Sequence, residues 1–134
     1  NLKSYIENDT LYLSFRRIVS PFSPPNNTLY PVKEYYMIIV KKENSNTFNL
    51  SSGEILLINN ENIYKVTFNK NIGGIEYVCN DEFDISKIND SDGDDIDTKE
   101  YVVFIYGMYE DRYKLLLDNF DDFLSTPSNI SKLN

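Results

Sequence analysis

The densest group of side chains able to bind or transfer anything is the acidic run Asp90-Ser91-Asp92-Gly93-Asp94-Asp95-Ile96-Asp97-Thr98-Lys99-Glu100. An EF-hand takes oxygen ligands at loop positions 1, 3 and 5, glycine at 6 and glutamate at 12. With Glu100 at position 12, Asn89, Ser91 and Gly93 fall on the ligand positions and Asp94 falls where glycine belongs. With Gly93 at position 6, Asp90 and Asp92 become ligands but Lys99 stands at position 12. Neither register completes a calcium loop. We therefore expect residues 88–100 to form a solvated, disordered acidic loop, with weak divalent binding and phosphorylation of Ser91 as lesser alternatives.

Arg16-Arg17 and Lys41-Lys42 are the only basic doublets. If a sheet brought them together they could hold a phosphate, with arginine supplying a bidentate fork. No glycine-rich phosphate cradle accompanies them, and the plainer role is to solvate strand ends. Tyrosine is frequent, with Tyr35-Tyr36, Tyr64, Tyr77, Tyr101, Tyr106 and Tyr109 in or beside apolar runs. Such rings can stack bases or anchor a peptide when exposed. In β proteins they more often fill the core or pair across strands. The candidate contacts for a ligand or partner are thus Arg16, Arg17, Lys41, Lys42, Tyr35 and Tyr64.

What is missing narrows the chemistry further. The chain has no histidine, so it has no Ser-His-Asp triad, no Cys-His pair, no imidazole base and no histidine-ligated metal. Cys79 is the single cysteine, which removes an intrachain disulfide and a cysteine-based zinc site. In the apolar run Ile75-Glu76-Tyr77-Val78-Cys79 it reads as a small buried hydrophobe, consistent with a reducing compartment. Carboxylates are plentiful but fall in loops and on the polar face of the helix inferred below. No catalytic residue, cofactor or bound metal is expected, and the chain is not expected to be an enzyme.

The formal net charge of −8 is unevenly spread. Residues 1–75 carry eight Lys/Arg against six Asp/Glu, and residues 76–134 carry five against fifteen. The acidic part repels phosphates, which argues against a nonspecific nucleic-acid or anionic-membrane surface there. No apolar run approaches the ~20 residues that span a bilayer. Its start, Asn1-Leu2-Lys3, lacks a methionine or a signal-peptide core, and suggests a domain cut from a longer protein.

These side chains need a scaffold, and the hydrophobic pattern supplies one. Leu11-Tyr12-Leu13-Ser14-Phe15 alternates with period two and reads as a strand with one buried face. Pro21, Pro24, Pro25 and Pro31 mark a turn-rich connection. Tyr35 to Val40 is a continuous apolar run, as in a strand buried on both faces. Glu54-Ile55-Leu56-Leu57-Ile58 and Ile63-Tyr64-Lys65-Val66-Thr67-Phe68, separated by Asn59-Asn60-Glu61-Asn62, are expected to form an antiparallel hairpin. Gly73-Gly74 suits a turn into a strand at Ile75–Cys79, and residues 80–100 read as an acidic connector around a short Phe83-Asp84-Ile85 segment. Tyr101 to Tyr106 is a further apolar strand. After it, Tyr109, Tyr113, Leu116, Leu117, Phe120 and Leu124 recur at helical spacing, predicting a C-terminal helix that covers the sheet.

The order of several short strands followed by one capping helix resembles the pleckstrin-homology-like superfold. The resemblance rests on Tyr101–Tyr106 leading into Glu110–Leu124 and on the hairpins before it, over roughly residues 11–125. It implies a mainly β fold with one C-terminal helix, a small antiparallel sandwich or barrel, while the length of the chain itself suggests a single domain of residues 1–134. Members of that superfold are usually non-enzymatic and bind phosphoinositides, peptides or proteins. The basic cluster of lipid-binding members would correspond here to Lys41 and Lys42, with Glu43 and Glu54 beside them. The position of the usual helix tryptophan would fall to Leu116 or Phe120. The leading expectation is a protein-interaction module of an intracellular, nuclear or cytoplasmic, assembly in a eukaryote. Two alternatives are an OB-like barrel binding single-stranded nucleic acid and a phosphoinositide-binding module. A membrane is not the expected partner.

Overall fold

The computed structural model describes residues 2–16, 32–67, 78–97, 100–109 and 128–132. Parity along the strands explains most of what it contains. In β2 (Thr10–Arg16) the alternating Leu11, Leu13 and Phe15 are buried while the residues between them are not. β1 (Lys3–Glu7) pairs antiparallel with β2 across Asn8-Asp9, both at positive φ, the conformation of a two-residue hairpin turn. β5 (Val78–Asp84) lies on the other side of β2, and the short β8 (Ser131–Lys132) runs parallel to β1. These form one sheet in the order β5-β2-β1-β8.

The second sheet has the order β4-β3-β6-β7, from β4 (Tyr64–Val66), β3 (Val32–Lys41), β6 (Tyr101–Tyr109) and β7 (Ser128–Asn129). Its central pair, β3 and β6, is buried on both faces, as the unbroken apolar runs predicted. One face carries Tyr35, Met37 and Ile39 of β3 with Tyr101, Val103 and Ile105 of β6, and packs on Leu11, Leu13 and Phe15 of the first sheet. The other face carries Ile38 and Val40 with Val102, Phe104 and Tyr106. At ~1.5–3 kcal/mol for each large side chain fully buried, neither face could remain exposed. The segment 128–132 joins the two sheets through β7 and β8, and Ile130 between them donates its N–H to the Tyr101 carbonyl at 3.3 Å.

The cover on the second face departs from expectation. Residues 54–58 are not a strand, and the 54–58/63–68 hairpin does not exist: Leu50–Asn59 is a helix, α1. Asn49 and Ser52 form a reciprocal capping box at its start, and Asn60 closes it in the left-handed conformation. The buried Gly53 lets the helix backbone approach Tyr106 and Ile38, while Leu50, Leu56, Leu57 and the preceding Phe48 pack on the same cluster. The Phe48 and Phe104 ring centroids are 4.9 Å apart. β4, the remnant of the expected second hairpin strand, instead pairs with β3.

Two other expectations are corrected. The fold is mainly β, but the two sheets stack with the helix outside them and do not close into a barrel. Residues 78–84 are a strand along β2, so the acidic connector begins later than its composition suggested. The C-terminal helix, the Gly73-Gly74 turn, residues 75–77 and the proline-rich connection lie outside the described residues, which contain no helix long and apolar enough to cross a membrane.

Two expected outcomes follow from this packing. A Cβ on Gly53 would stand 2.9 Å from Tyr106 Cδ2, and the ring is buried. Overpacking of about 1–3 kcal/mol then outweighs the roughly 1 kcal/mol that alanine gains as a helix former. Gly53→Ala should lower the stability measured by urea denaturation, and Gly53→Val should lower it further. Separately, the Tyr36 hydroxyl donates to Glu34, and partial burial with that bond pushes its pKa up to about 12. Burial also raises Tyr101 and Tyr106. An unfolded chain releases these protons near pH 10, so stability should fall as pH rises from about 10 to about 12. Thermal melts across that range should show the fall, and Tyr36→Phe should make it shallower.

Candidate functional site

Lys41 is the last residue of β3 and follows Tyr35, Met37 and Ile39 on the core-facing side. Its position carries a cation to the rim of the core, where it is 8% exposed. A charge so placed must be compensated. The compensation comes from the acidic run. Lys41 Nζ lies 3.5 Å from Asp90 Oδ2 and 3.3 Å from Asp92 Oδ2, and it donates to Asp94. The bond to Asp94 raises the Lys41 pKa, against the opposing effect of desolvation. The ammonium therefore stays protonated past the usual lysine range.

Over its described residues 90–97 the run is an ordered turn, contrary to the expected disordered loop, and residues 98 and 99 lie outside the described ones. Asp90 is fully buried, and its Oδ1 accepts the N–H groups of Asp92 at 2.9 Å and Asp94 at 3.1 Å. Its other oxygen, buried and without a hydrogen bond among the described residues, faces the ammonium. Gly93 adopts φ +86°, a conformation that glycine takes without strain. β4 covers β3 only over Tyr35–Met37, and beyond it the Ser91 N–H bonds the Ile39 carbonyl at 2.7 Å. The turn thus satisfies a strand edge that would otherwise end in unpaired backbone. Two tyrosine hydroxyls hold its ends: Tyr64 accepts from the Asn89 N–H at 2.7 Å, and Tyr101 binds Asp97.

This accounts for most of the sequence-predicted site residues. Tyr35 is 1% exposed and sits in the core with its ring edge-on to Phe15, so it offers a partner no surface. Tyr64 supports the acidic turn. Lys42 is exposed and lies 3.6 Å from Glu100 Oε2. Arg16 is exposed at the end of β2, and Arg17 lies outside the described residues. The Phe15–Tyr35 contact puts Arg16 near the start of β3, about 20 Å of strand from Lys41. Arg16 is not brought to Lys41 and Lys42, and Lys41 is already engaged by three carboxylates.

Asp90, Asp92 and Asp94 offer carboxylate oxygens within 4.8 Å of one another, close enough for a divalent cation. The Lys41 ammonium stands among them, so a metal there would have to displace it. The Asp-x-Asp-x-Asp spacing of residues 90–94 is the sequence signal for this convergence, although it completes neither EF-hand register.

Beside the turn lies a surface that the sequence reading missed. A cleft of ≈ 390 Å³ lies between α1 and the turn, lined by the apolar Phe48, Ile55 and Leu56 and by the polar Asn44, Thr47, Ser52, Ser91 and Asp92. Ile55 is 58% exposed and Ile58, one turn further along the helix, 82%. The capping residues Asn49 and Ser52 were the signal that could have revealed this helix.

Replacing Lys41 with methionine keeps the apolar stem but leaves three carboxylates facing one another. Lys41→Met should lower the melting temperature clearly more than Lys65→Met, which breaks only an exposed pair with Glu34 at 3.2 Å. Equal shifts in circular-dichroism melts would contradict the role given to Lys41. Comparison of the chain with protein-family models, curated proteins and solved structures returned no match.

Proposed function

We propose that this chain is a non-enzymatic protein-interaction module that docks its partner on the outer face of α1. The observation that carries this is the exposure of Ile55 and Ile58 on adjacent turns, beside a cleft. Single exposed apolar residues are ordinary, but Ile55 lines the cleft with Phe48 and Leu56 and Ile58 stands one turn along the same helix face, so the two extend an apolar patch. Burying such isoleucines under a partner would contribute on the order of 1–3 kcal/mol each. The lack of histidine and the engagement of the clustered carboxylates by Lys41 and backbone N–H groups support a binding role over catalysis. The finer likeness to the pleckstrin-homology-like superfold draws little support, because 54–58 is helical and the capping helix falls on residues outside the described ones.

The test compares the immobilised wild-type chain with an Ile55→Gln/Ile58→Gln double variant in extracts of the cells that produce it. Glutamine is a good helix former, so the variant should melt with the wild type. A discrete protein retained by the wild type and lost from the variant is expected. Identical retention by both, or retention of nucleic acid alone, would defeat the proposal.

A further inference from the structure

Resting on that docking surface, we infer that the cleft takes a partner segment pairing an aliphatic side chain with a lysine or arginine. Phe48, Ile55 and Leu56 give the cleft an apolar lining, and the turn contributes Asp92 to the same cleft, with its side chain 50% exposed. Asp92 Oδ2 is held from two sides, by Lys41 at 3.3 Å and by Asn44 Nδ2 at 3.2 Å. The carboxylate is thereby fixed before any partner arrives, which reduces the ordering cost of binding. Among the described side chains the turn carries three clustered carboxylates and one ammonium at its centre. Its field favours a cation and repels phosphate.

Apolar lining beside a half-exposed carboxylate suits the amphipathic stems of lysine and arginine. Their methylenes can lie along Phe48 and Leu56 while the charged head reaches Asp92. An aliphatic neighbour in the same segment would then cover Ile55 and Ile58. An acidic segment meets repulsion at Asp92, and a wholly polar one leaves Phe48, Ile55 and Leu56 wet. The selected class is therefore a basic, apolar stretch of another protein, and a nucleic acid is excluded by the same field.

Fluorescence anisotropy with the full chain tests this, using three labelled peptides: a helical leucine/lysine peptide, its leucine/glutamate counterpart and a serine/lysine counterpart. Because a chain of net charge −8 attracts any polycation, the measurement is made at ~0.15 M salt. It includes Glu82→Gln on the other sheet as a control for charge alone. Only the leucine/lysine peptide should bind. Asp92→Asn should weaken it about fivefold, the scale of one exposed ion pair, and Glu82→Gln less than about twofold. Ile55→Gln/Ile58→Gln should weaken it at least as much as Asp92→Asn. Equal effects of Asp92→Asn and Glu82→Gln, or no binding of the leucine/lysine peptide, would overturn the inference. Equal binding of the leucine/glutamate peptide, lost in the isoleucine variant, would also overturn it while leaving the docking face of α1 in place.

Discussion

The β3–β6 ladder is the constraint from which the remaining structure follows. Its residues from Val32 to Lys41 and Tyr101 to Tyr109 are matched along nearly their whole lengths, with one shift between Val32 and Glu34. Because large apolar side chains project from both faces, two separate covers are required. The first sheet supplies one and α1 the other. A two-layer sandwich would leave Ile38, Val40, Phe104 and Tyr106 in water, a loss of about 6–12 kcal/mol that is comparable to the whole net stability of a domain this size.

The same ladder creates the local electrostatics. Parity places Lys41 on the core-facing side at the end of β3, where a side chain cannot be fully solvated. The acidic turn answers both its charge and the unfinished edge of the strand, through the carboxylates and the Ser91 N–H respectively. The net negative charge of the C-terminal half is thus partly structural. What remains on the outside of the turn borders the cleft beside α1, so one arrangement stabilises the scaffold and shapes a surface. A mixture of apolar and acidic character is also what distinguishes this surface from a site for phosphates.

The strands β2, β3 and β6 were legible because a strand assigns its residues to faces by parity, and run length separates half-buried from fully buried strands. The hairpin turn at Asn8-Asp9 was legible in principle from residue type, and β1 with it. Glu54-Ile55-Leu56-Leu57-Ile58 was not, because four apolar residues in a row satisfy a buried strand and a short helix alike. The deciding contributions are the cap formed by Asn49 and Ser52 and the fit of Gly53 against Tyr106. Of these, only the cap is local.

By itself the sequence determined that the chain would be mainly β, acidic in its second half and without imidazole chemistry, since composition and parity suffice for each. Tertiary structure alone decided that Lys41 meets carboxylates 51 and 53 residues away, that Tyr35 is core, and that Ile55 and Ile58 face outward. The reason is physical: the strength of an ion pair and the burial of a ring depend on distances through space. Those distances exist only once β3 has been covered on both sides.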